Sequence, residues 1–216
     1  HDSPIHIIAK IEDQQGLDNI DDIIRVSNGV MIARGDLGVQ LSTEQIPLAQ
    51  KRIIEKCIQQ NKPVITATQM LDSMIHNPNP TRAELTDVAN AIFDGTDAVM
   101  LSGETANGRY PLRSVETMNR IAMAVEQSPE YLQRNRRFFD PEKTSSDIGH
   151  AIAKAAYIVA QEIEASAIVT PTLRGNSPRT LSNYRPEQNI IAVTTSQVAY
   201  RQLMLNWGIF PICTEL

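Results

Sequence analysis

Cysteine is scarce in this 216-residue chain: Cys57 and Cys213 stand far apart, with no paired spacing. A disulfide framework and a cysteine-based metal set are excluded, and a reducing compartment fits better. Long apolar runs are also missing. None approaches the about 20 residues of a membrane-spanning helix, and no signal-peptide pattern is visible. There is no basic run either, and the net charge is −5. Nucleic acid or an anionic membrane surface is therefore not the expected main partner. His6, His76 and His150 have no partner at a spacing that suggests catalysis or metal binding.

The hydrophobic fraction of 42% and charged fraction of 21% are those of an ordinary soluble globular protein. The length allows one or two domains with a sizeable core. The chain opens on His1-Asp2-Ser3-Pro4, without methionine, and stops directly after a strand-like run. The expectation is a piece of a longer protein.

The apolar run Ile7-Ile8-Ala9-Lys10-Ile11-Glu12 ends in a cation and an anion before the turn-like Asp13-Gln14-Gln15-Gly16. On a strand, Lys10 and Glu12 point the same way. They make either an anion-plus-metal site or a strand-end ion pair of little energetic weight. A second run, Val30 to Ala33, passes into the glycine-containing turn Arg34-Gly35-Asp36-Leu37-Gly38. Two such turns, each with one acid, can offer hard oxygen ligands to one magnesium ion. Gly35 allows close backbone approach, and its amide is a candidate anion donor.

Strand-like runs recur at 5–11, 29–33, 63–68 and 98–101, with helical patterns between them. Leu17, Ile20, Ile23 and Ile24 form a helical stripe within 16–26. Ser42 with Gln45 reads as a capping box opening a helix through residue 60, with Pro47 in its first turns. Thr81 with Glu84 reads as a second box, opening a helix that Asp94-Gly95 closes. Pro111 opens another helix to about residue 127. Strand–helix alternation implies parallel strands joined by crossover helices. The strand ends carry Lys10 and Glu12, Gly35-Asp36, Ala67-Thr68-Gln69, and Ser102-Gly103-Glu104-Thr105. Polar residues at successive strand ends suit the active face of a (β/α) barrel, and equally a doubly wound sheet.

Residues 128–146 contain Arg134, Arg136, Arg137 and Asp140-Pro141 with little periodicity, and read as an interdomain connection. A second α/β region follows. It has an alanine-rich helix over 147–164, with Ile148, Ala151, Ile152, Ala155, Ala156, Val159 and Ile163 at helical spacing. Then come a strand at 167–170, a loop at 171–177, a helix near 178–184, a strand at 189–193, a helix at 196–206 and an edge strand at 209–213.

Together these motifs resemble one family, pyruvate kinase. The runs that carry the resemblance are Ile8-Ala9-Lys10-Ile11-Glu12, Met31-Ile32-Ala33-Arg34-Gly35-Asp36-Leu37-Gly38 and Ala67-Thr68-Gln69-Met70-Leu71-Asp72-Ser73-Met74. Pro78-Asn79-Pro80-Thr81-Arg82-Ala83-Glu84 and Met100-Leu101-Ser102-Gly103-Glu104-Thr105-Ala106 add to it. Tyr184-Arg185-Pro186 and Ile190-Ile191-Ala192-Val193-Thr194 match the family's C-terminal domain. The resemblance implies the second half of a (β/α)8 TIM barrel over 1–128, a linker over 129–146, and a partial three-layer α/β C-terminal domain over 147–216. It implies a cytoplasmic, glycolytic kinase that moves a phosphoryl group from phosphoenolpyruvate to ADP, giving pyruvate and ATP. The first half-barrel, the lid-like β domain and the potassium ligands would lie outside these residues. The chain by itself is then expected to be inactive.

The same resemblance implies roles. Lys10 would stabilise the phosphoryl group and the enolate, and Glu12 and Asp36 would hold magnesium. The backbone of Ala33, Arg34, Gly35 and Asp36 would receive the substrate carboxylate. Thr68 would help deliver a proton through water, its hydroxyl being a poor acid by itself. The Arg34 side chain reads as an ion pair shaping the loop, and Arg82 and Glu84 as loop braces. For Ser102 and Glu104, substrate contact and loop support both stand. Met70, Met74, Met118 and Met123 read as packing, and Trp207 as core or effector-side.

A different reading is a regulatory module. Thr170, Thr172, Arg174, Ser177 and Arg179 lie in the loop where the family often receives a phosphorylated effector, and their chemistry suits phosphate. That loop reads equally as an ordinary connection. A third reading, another magnesium-dependent barrel, is opposed by the Ala-Thr-Gln-Met-Leu and Pro-Thr-Arg-Ala-Glu runs. A half-barrel exposes two strand edges, near Ile8 and Val99, so a homo-oligomer is expected.

Overall fold

A computed structural model describes residues 5–135 and 147–215. They fall into two compact units, His6–Tyr131 and one drawn mainly from Leu132–Leu216. Residues 136–146 of the expected connection, with Arg136, Arg137 and Asp140-Pro141, lie outside the described residues.

In the first unit four strands alternate with helices: β1 (Ile8–Ile11), β2 (Gly29–Ala33), β3 (Val64–Ala67) and β4 (Ala98–Met100). They pair in parallel in sequence order. Lys10 lies opposite Met31, Ala33 opposite Ala67, and Ala67 opposite Met100. This register brings all four C-terminal ends to one edge of the sheet. Val30, Ile32, Ala33, Val64 and Ala67 are fully buried, the near-continuous apolar pattern of parallel strands.

The helices between them are α1 (Gln14–Asp18), α2 (Ile20–Val26), α3 (Arg34–Gln40), α4 (Gln45–Gln59) and α5 (Arg82–Asp94). Their buried stripes include Ile20 and Ile24 on α2, Ile53, Ile54 and Cys57 on α4, and Val88, Ala91 and Ile92 on α5. Each large aliphatic side chain buried this way contributes about 1.5–3 kcal/mol. Cys57 is fully buried, and burial first, with the Asp97 charge second, pushes its thiol up to about 12. It is an inert packing residue. After β4 come α6 (Gly103–Ala106), α7 (Pro111–Glu126) and α8 (Pro129–Asn135).

Several local expectations change. The helix predicted over 16–26 is two helices, because the chain breaks at Asn19 and the first is capped separately, the Asp13 carboxylate accepting from the Gly16 amide at 2.7 Å. The helix predicted from Ser42 starts at Gln45, and Ser42 contributes its carbonyl to the Gln45 N–H rather than a hydroxyl cap. Arg34-Gly35-Asp36 is the first turn of α3, not an open turn. Part of the predicted connection, Pro129–Asn135, is helical, and Tyr131 packs against Phe93 with ring centroids 6.0 Å apart. The Thr81–Glu84 capping box forms as predicted, and Gly95 ends α5 in the left-handed region at φ 99°.

The second unit holds α9 (Ile148–Glu162), β5 (Ala167–Pro171), α10 (Asn176–Ser182), β6 (Asn189–Thr194), α11 (Gln197–Leu203) and β7 (Ile209–Cys213). Its three strands are parallel, in the order β5-β6-β7. Ala153, Tyr157, Leu181, Ile190, Ala192, Leu203 and Ile209 form its core. Of the residues at helical spacing there, Ile148, Ile152, Val159 and Ile163 are exposed, while Ala156 packs against the core. The face turned inward is Ala153, Tyr157 and Ala160, where small side chains let α9 approach and one tyrosine fills the remaining depth. Arg185 lies over the Trp207 ring at 4.9 Å.

Gly29, at the start of β2, tests this packing. An added Cβ would sit 2.8 Å from Ile8 Cδ1 and 2.9 Å from the Pro63 carbonyl oxygen. The Ile8 methyl can yield, but the carbonyl is fixed by the Val30 N–H at 3.0 Å. Gly29→Ala should therefore cost about 1–3 kcal/mol. Gly38→Ala, which meets only the flexible tip of Ile46, should be neutral or mildly stabilising, since alanine favours a helix by about 1 kcal/mol over glycine. Thermal unfolding by circular dichroism checks this, and equal melting temperatures for the two variants would contradict it.

Candidate functional site

The parallel register gathers the polar residues at one end of the four-stranded sheet. Lys10, on β1, directs its ammonium to two carboxylates. It contacts Glu12 Oε2 and lies 2.7 Å from Asp36 Oδ2. Glu12 follows β1 directly, and Asp36 sits in the first turn of α3 after β2, so paired neighbouring strands bring them together. The three side chains are about half exposed, at 45%, 47% and 53%. Asp36 first, then Glu12, raises the Lys10 pKa far above its ordinary value. Lys10 therefore stays charged throughout the neutral range. Half-exposed ion pairs add little to folding, so this cluster is poorly explained as a stability device.

Thr68 follows β3. Its Oγ1 accepts from the Gly35 amide at 2.8 Å and donates to the Ala67 carbonyl at 2.7 Å. The structure thus brings Gly35 and Thr68 together, and the Gly35 N–H expected to face an anion is held by the Thr68 hydroxyl. Thr68 and Gln69 both have left-handed backbones, at φ 67° and 55°. Ala33 is buried and ends β2. Arg34 is buried too. Its guanidinium donates to Asp87 Oδ1 at 2.7 Å, the Thr68 carbonyl at 2.9 Å, and Gln69 O and Gln50 Oε1 at 3.3 Å. Its side chain is engaged internally, which leaves only its backbone for any substrate contact.

The surrounding loops are braced by carboxylates. Glu84 accepts from the Ser73 amide and hydroxyl at 2.7 and 2.6 Å, and from the Thr81 amide at 2.7 Å. Burial pushes its pKa up, but these bonds outweigh burial and hold it below the ordinary value. Glu104 is almost fully buried and accepts from the Leu71 and Ser102 amides at 3.0 and 2.8 Å. Of the two readings of Glu104, its contacts are those of loop support.

Among the described residues, no group of three or more His, Cys, Asp or Glu is placed to hold a metal. The donor set at Lys10 is two hard carboxylates facing one cation. That suits magnesium, which takes one or two carboxylates and completes its shell with water and phosphate oxygens.

In the second unit, Thr172 Oγ1 accepts from the Gly175 amide at 2.9 Å. Arg179 donates to the Arg174 carbonyl at 3.1 Å and to Gln202 at 3.3 Å. Arg174 and Ser177 are exposed, and the Thr170 hydroxyl is buried with no hydrogen-bond partner. Of the five predicted residues only Thr172 and Arg174 lie in the loop itself; Thr170 is on β5 and Ser177 and Arg179 are on α10, with Thr172 and Arg179 already committed to shaping the connection.

Asp87 and Gln50 escaped the sequence reading. Gln50 had a signal: it is polar within the apolar stripe Ile53, Ile54, Cys57 of α4. Asp87 stands three residues after Glu84, on the face of α5 that braces the loops.

Residues 1–115 match the family model "Pyruvate kinase, barrel domain", and residues 150–215 match "Pyruvate kinase, alpha/beta domain". The chain is 52% identical over 213 residues to a pyruvate kinase of Sporosarcina psychrophila, covering 97% of this chain and 36% of that protein. It is 52% identical over 212 residues to one of Clostridium acetobutylicum, covering 98% and 44%. The crystal structure of a Cryptosporidium parvum pyruvate kinase superposes with a TM-score of 0.91 at 44% identity, over 97% of this chain and 42% of that one. The chain thus spans 36–44% of the length of these relatives.

The Glu84 brace has a pH signature. Its folded pKa lies below the ordinary 4.5, so its contribution is present above about that pH and is lost as pH falls through the folded value. Glu84→Gln should be less stable than the parent at pH 7, and the gap should close on acidification. Urea unfolding at pH 7 and pH 3 tests this, and a pH-independent gap would refute it.

Proposed function

The chain belongs to the pyruvate kinase family, and from that premise we propose that it supplies the metal- and phosphoryl-binding side of a phosphotransferase centre. In the proposed reaction the bond between phosphorus and the enol oxygen of phosphoenolpyruvate breaks as a terminal oxygen of ADP takes the phosphoryl group. The enolate left behind gains a proton on carbon and becomes pyruvate. The observation that carries this reading is the Lys10 ammonium touching both Glu12 and Asp36 beside the Gly35–Thr68 contact.

Phosphoryl transfer needs positioning and charge neutralisation more than covalent help. Lys10 meets the phosphoryl oxygens and the developing enolate oxygen. Glu12 and Asp36 would hold magnesium, which when bound neutralises and aligns phosphate charge. The backbone from Ala33 to Asp36 receives the substrate carboxylate beside the Gly35–Thr68 contact. Thr68, working through water, passes a proton toward the enolate carbon.

The finer description belongs to the same proposal. Residues 1–128 are assigned to the second half of a (β/α)8 barrel, 129–146 to a linker, and 147–216 to part of the C-terminal domain. Potassium ligands and the rest of the phosphate clamp are assigned to sequence beyond these residues. A cytoplasmic location is part of the proposal, as the family resemblance implies; among the described residues no helix is long and apolar enough to cross a membrane. Self-association is part of the reading, because β1 and β4 are the outer strands of the described sheet. The loop at 170–179 is proposed to take a phosphorylated effector, supported by exposed Arg174 and Ser177 and the unpartnered Thr170 hydroxyl.

A coupled assay with phosphoenolpyruvate, ADP, magnesium and potassium tests the proposal. The complete polypeptide containing this chain should turn over, and Lys10→Met should abolish turnover. Glu12→Gln should shift the magnesium titration to higher concentration, while Arg174→Ala should leave it in place and weaken the binding of a phosphorylated effector. The 216-residue chain, verified by mass, should show no turnover, since an incomplete site loses positioning worth orders of magnitude. Identical magnesium titrations for the parent and Glu12→Gln would remove the metal assignment, and robust turnover by the 216-residue chain would refute its inactivity.

A further inference from the structure

Both oxygens of Asp87 lie 2.7 Å from the Arg34 guanidinium, one on each terminal nitrogen. Other donors of the same group reach the Thr68 carbonyl, at 2.9 and 3.3 Å, and the Gln69 carbonyl, at 3.3 Å. Those two residues are consecutive and non-glycine, and both are left-handed. Such backbone persists only where its surroundings over-determine it. The outcome of the turn is specific: it sets Thr68 Oγ1 2.8 Å from the Gly35 amide.

We propose that Asp87 is a positioning residue: through Arg34 it locks the left-handed Thr68–Gln69 turn and so fixes the Thr68 hydroxyl at the Gly35 amide. This rests on the role given to Thr68 above. The Arg34 side chain is only 7% exposed, while Asp87, at 39%, closes the pair on its solvent side. Gln50 offers a neutral oxygen at 3.3 Å, a weaker hold than a bidentate carboxylate. The nearby Asp94 carboxylate is already taken by Gln50 and Lys51. Without the Asp87 carboxylate the bidentate hold that orients the guanidinium plane is lost, and its edge on the two carbonyls is no longer fixed in place. Thr68 then drifts from Gly35 while Lys10, Glu12 and Asp36 keep their places.

The test compares Asp87→Asn and Asp87→Glu in the complete polypeptide. Three quantities are read: hydrogen exchange at the Gly35 amide, kcat for phosphoenolpyruvate, and enzyme-catalysed exchange of pyruvate methyl protons with solvent deuterium. Asp87→Asn should speed exchange at Gly35 and lower both rates together by about tenfold to a hundredfold, the scale of a misplaced group. The magnesium midpoint should stay where it was, and Asp87→Glu should restore part of each loss. If Asp87→Asn does not fold, Arg34→Lys takes its place, because one ammonium cannot span two carbonyls and a carboxylate. Unchanged Gly35 exchange in the folded variant overturns the positioning role. Faster exchange with both rates intact shows instead that the turn is held as described and that Thr68 has no part in the reaction, which overturns the reading beneath it.

Discussion

A buried guanidinium organises this end of the first unit. Arg34 stands at the junction of β2 and α3, out of water, with planar donors that must all find acceptors. It finds them on three other pieces of chain: α4 through Gln50, α5 through Asp87, and the turn after β3 through Thr68 and Gln69. A charge left without partners there would be far costlier than the pair is stabilising. Desolvation therefore forces the strand ends, the loop and two helices into one arrangement. The left-handed turn at Thr68 is held within it.

Around that fixed knot the charges facing water are arranged differently. Lys10, Glu12 and Asp36 are half exposed and add little to stability, yet they meet at the edge where all four parallel strands end. Arg34 is dry and structural in its contacts, while Lys10 is wet and open to a ligand. The two cations, each beside an acid, differ in solvent access, and this separates bracing from the proposed chemistry. Glu84 and Glu104 repeat the bracing role with backbone amides as partners.

The second unit uses smaller contacts. Alanines on α9 allow close approach to its neighbours, and Tyr157 supplies the bulk in the core. The branched residues of the same helix lie outside. Its hydrophobic periodicity is real, but its alanines are compatible with more than one inward face, and packing volume selects among them.

Local rules were readable from the sequence where their causes lie within a turn of the chain. The strand–helix alternation, the Thr81–Glu84 box and the Gly95 stop are of this kind. These three depend on period, capping or backbone freedom among near neighbours, and the family runs around Lys10, Gly35-Asp36 and Thr68 were legible only through their resemblance to a known family. The failures were also physical. Ser42 had a capping sequence but turned its carbonyl to the task, and the branched residues at helical spacing on α9 lie exposed. Asp87 could not be read as a partner of Arg34, because 53 residues separate them. Only the parallel register and the packing of α4 and α5 bring them together. That a threonine after β3 would adopt a left-handed backbone and spend its hydroxyl on the Gly35 amide was likewise decided by tertiary structure, since its local preference is against that conformation and only a buried arginine needing acceptors holds it there.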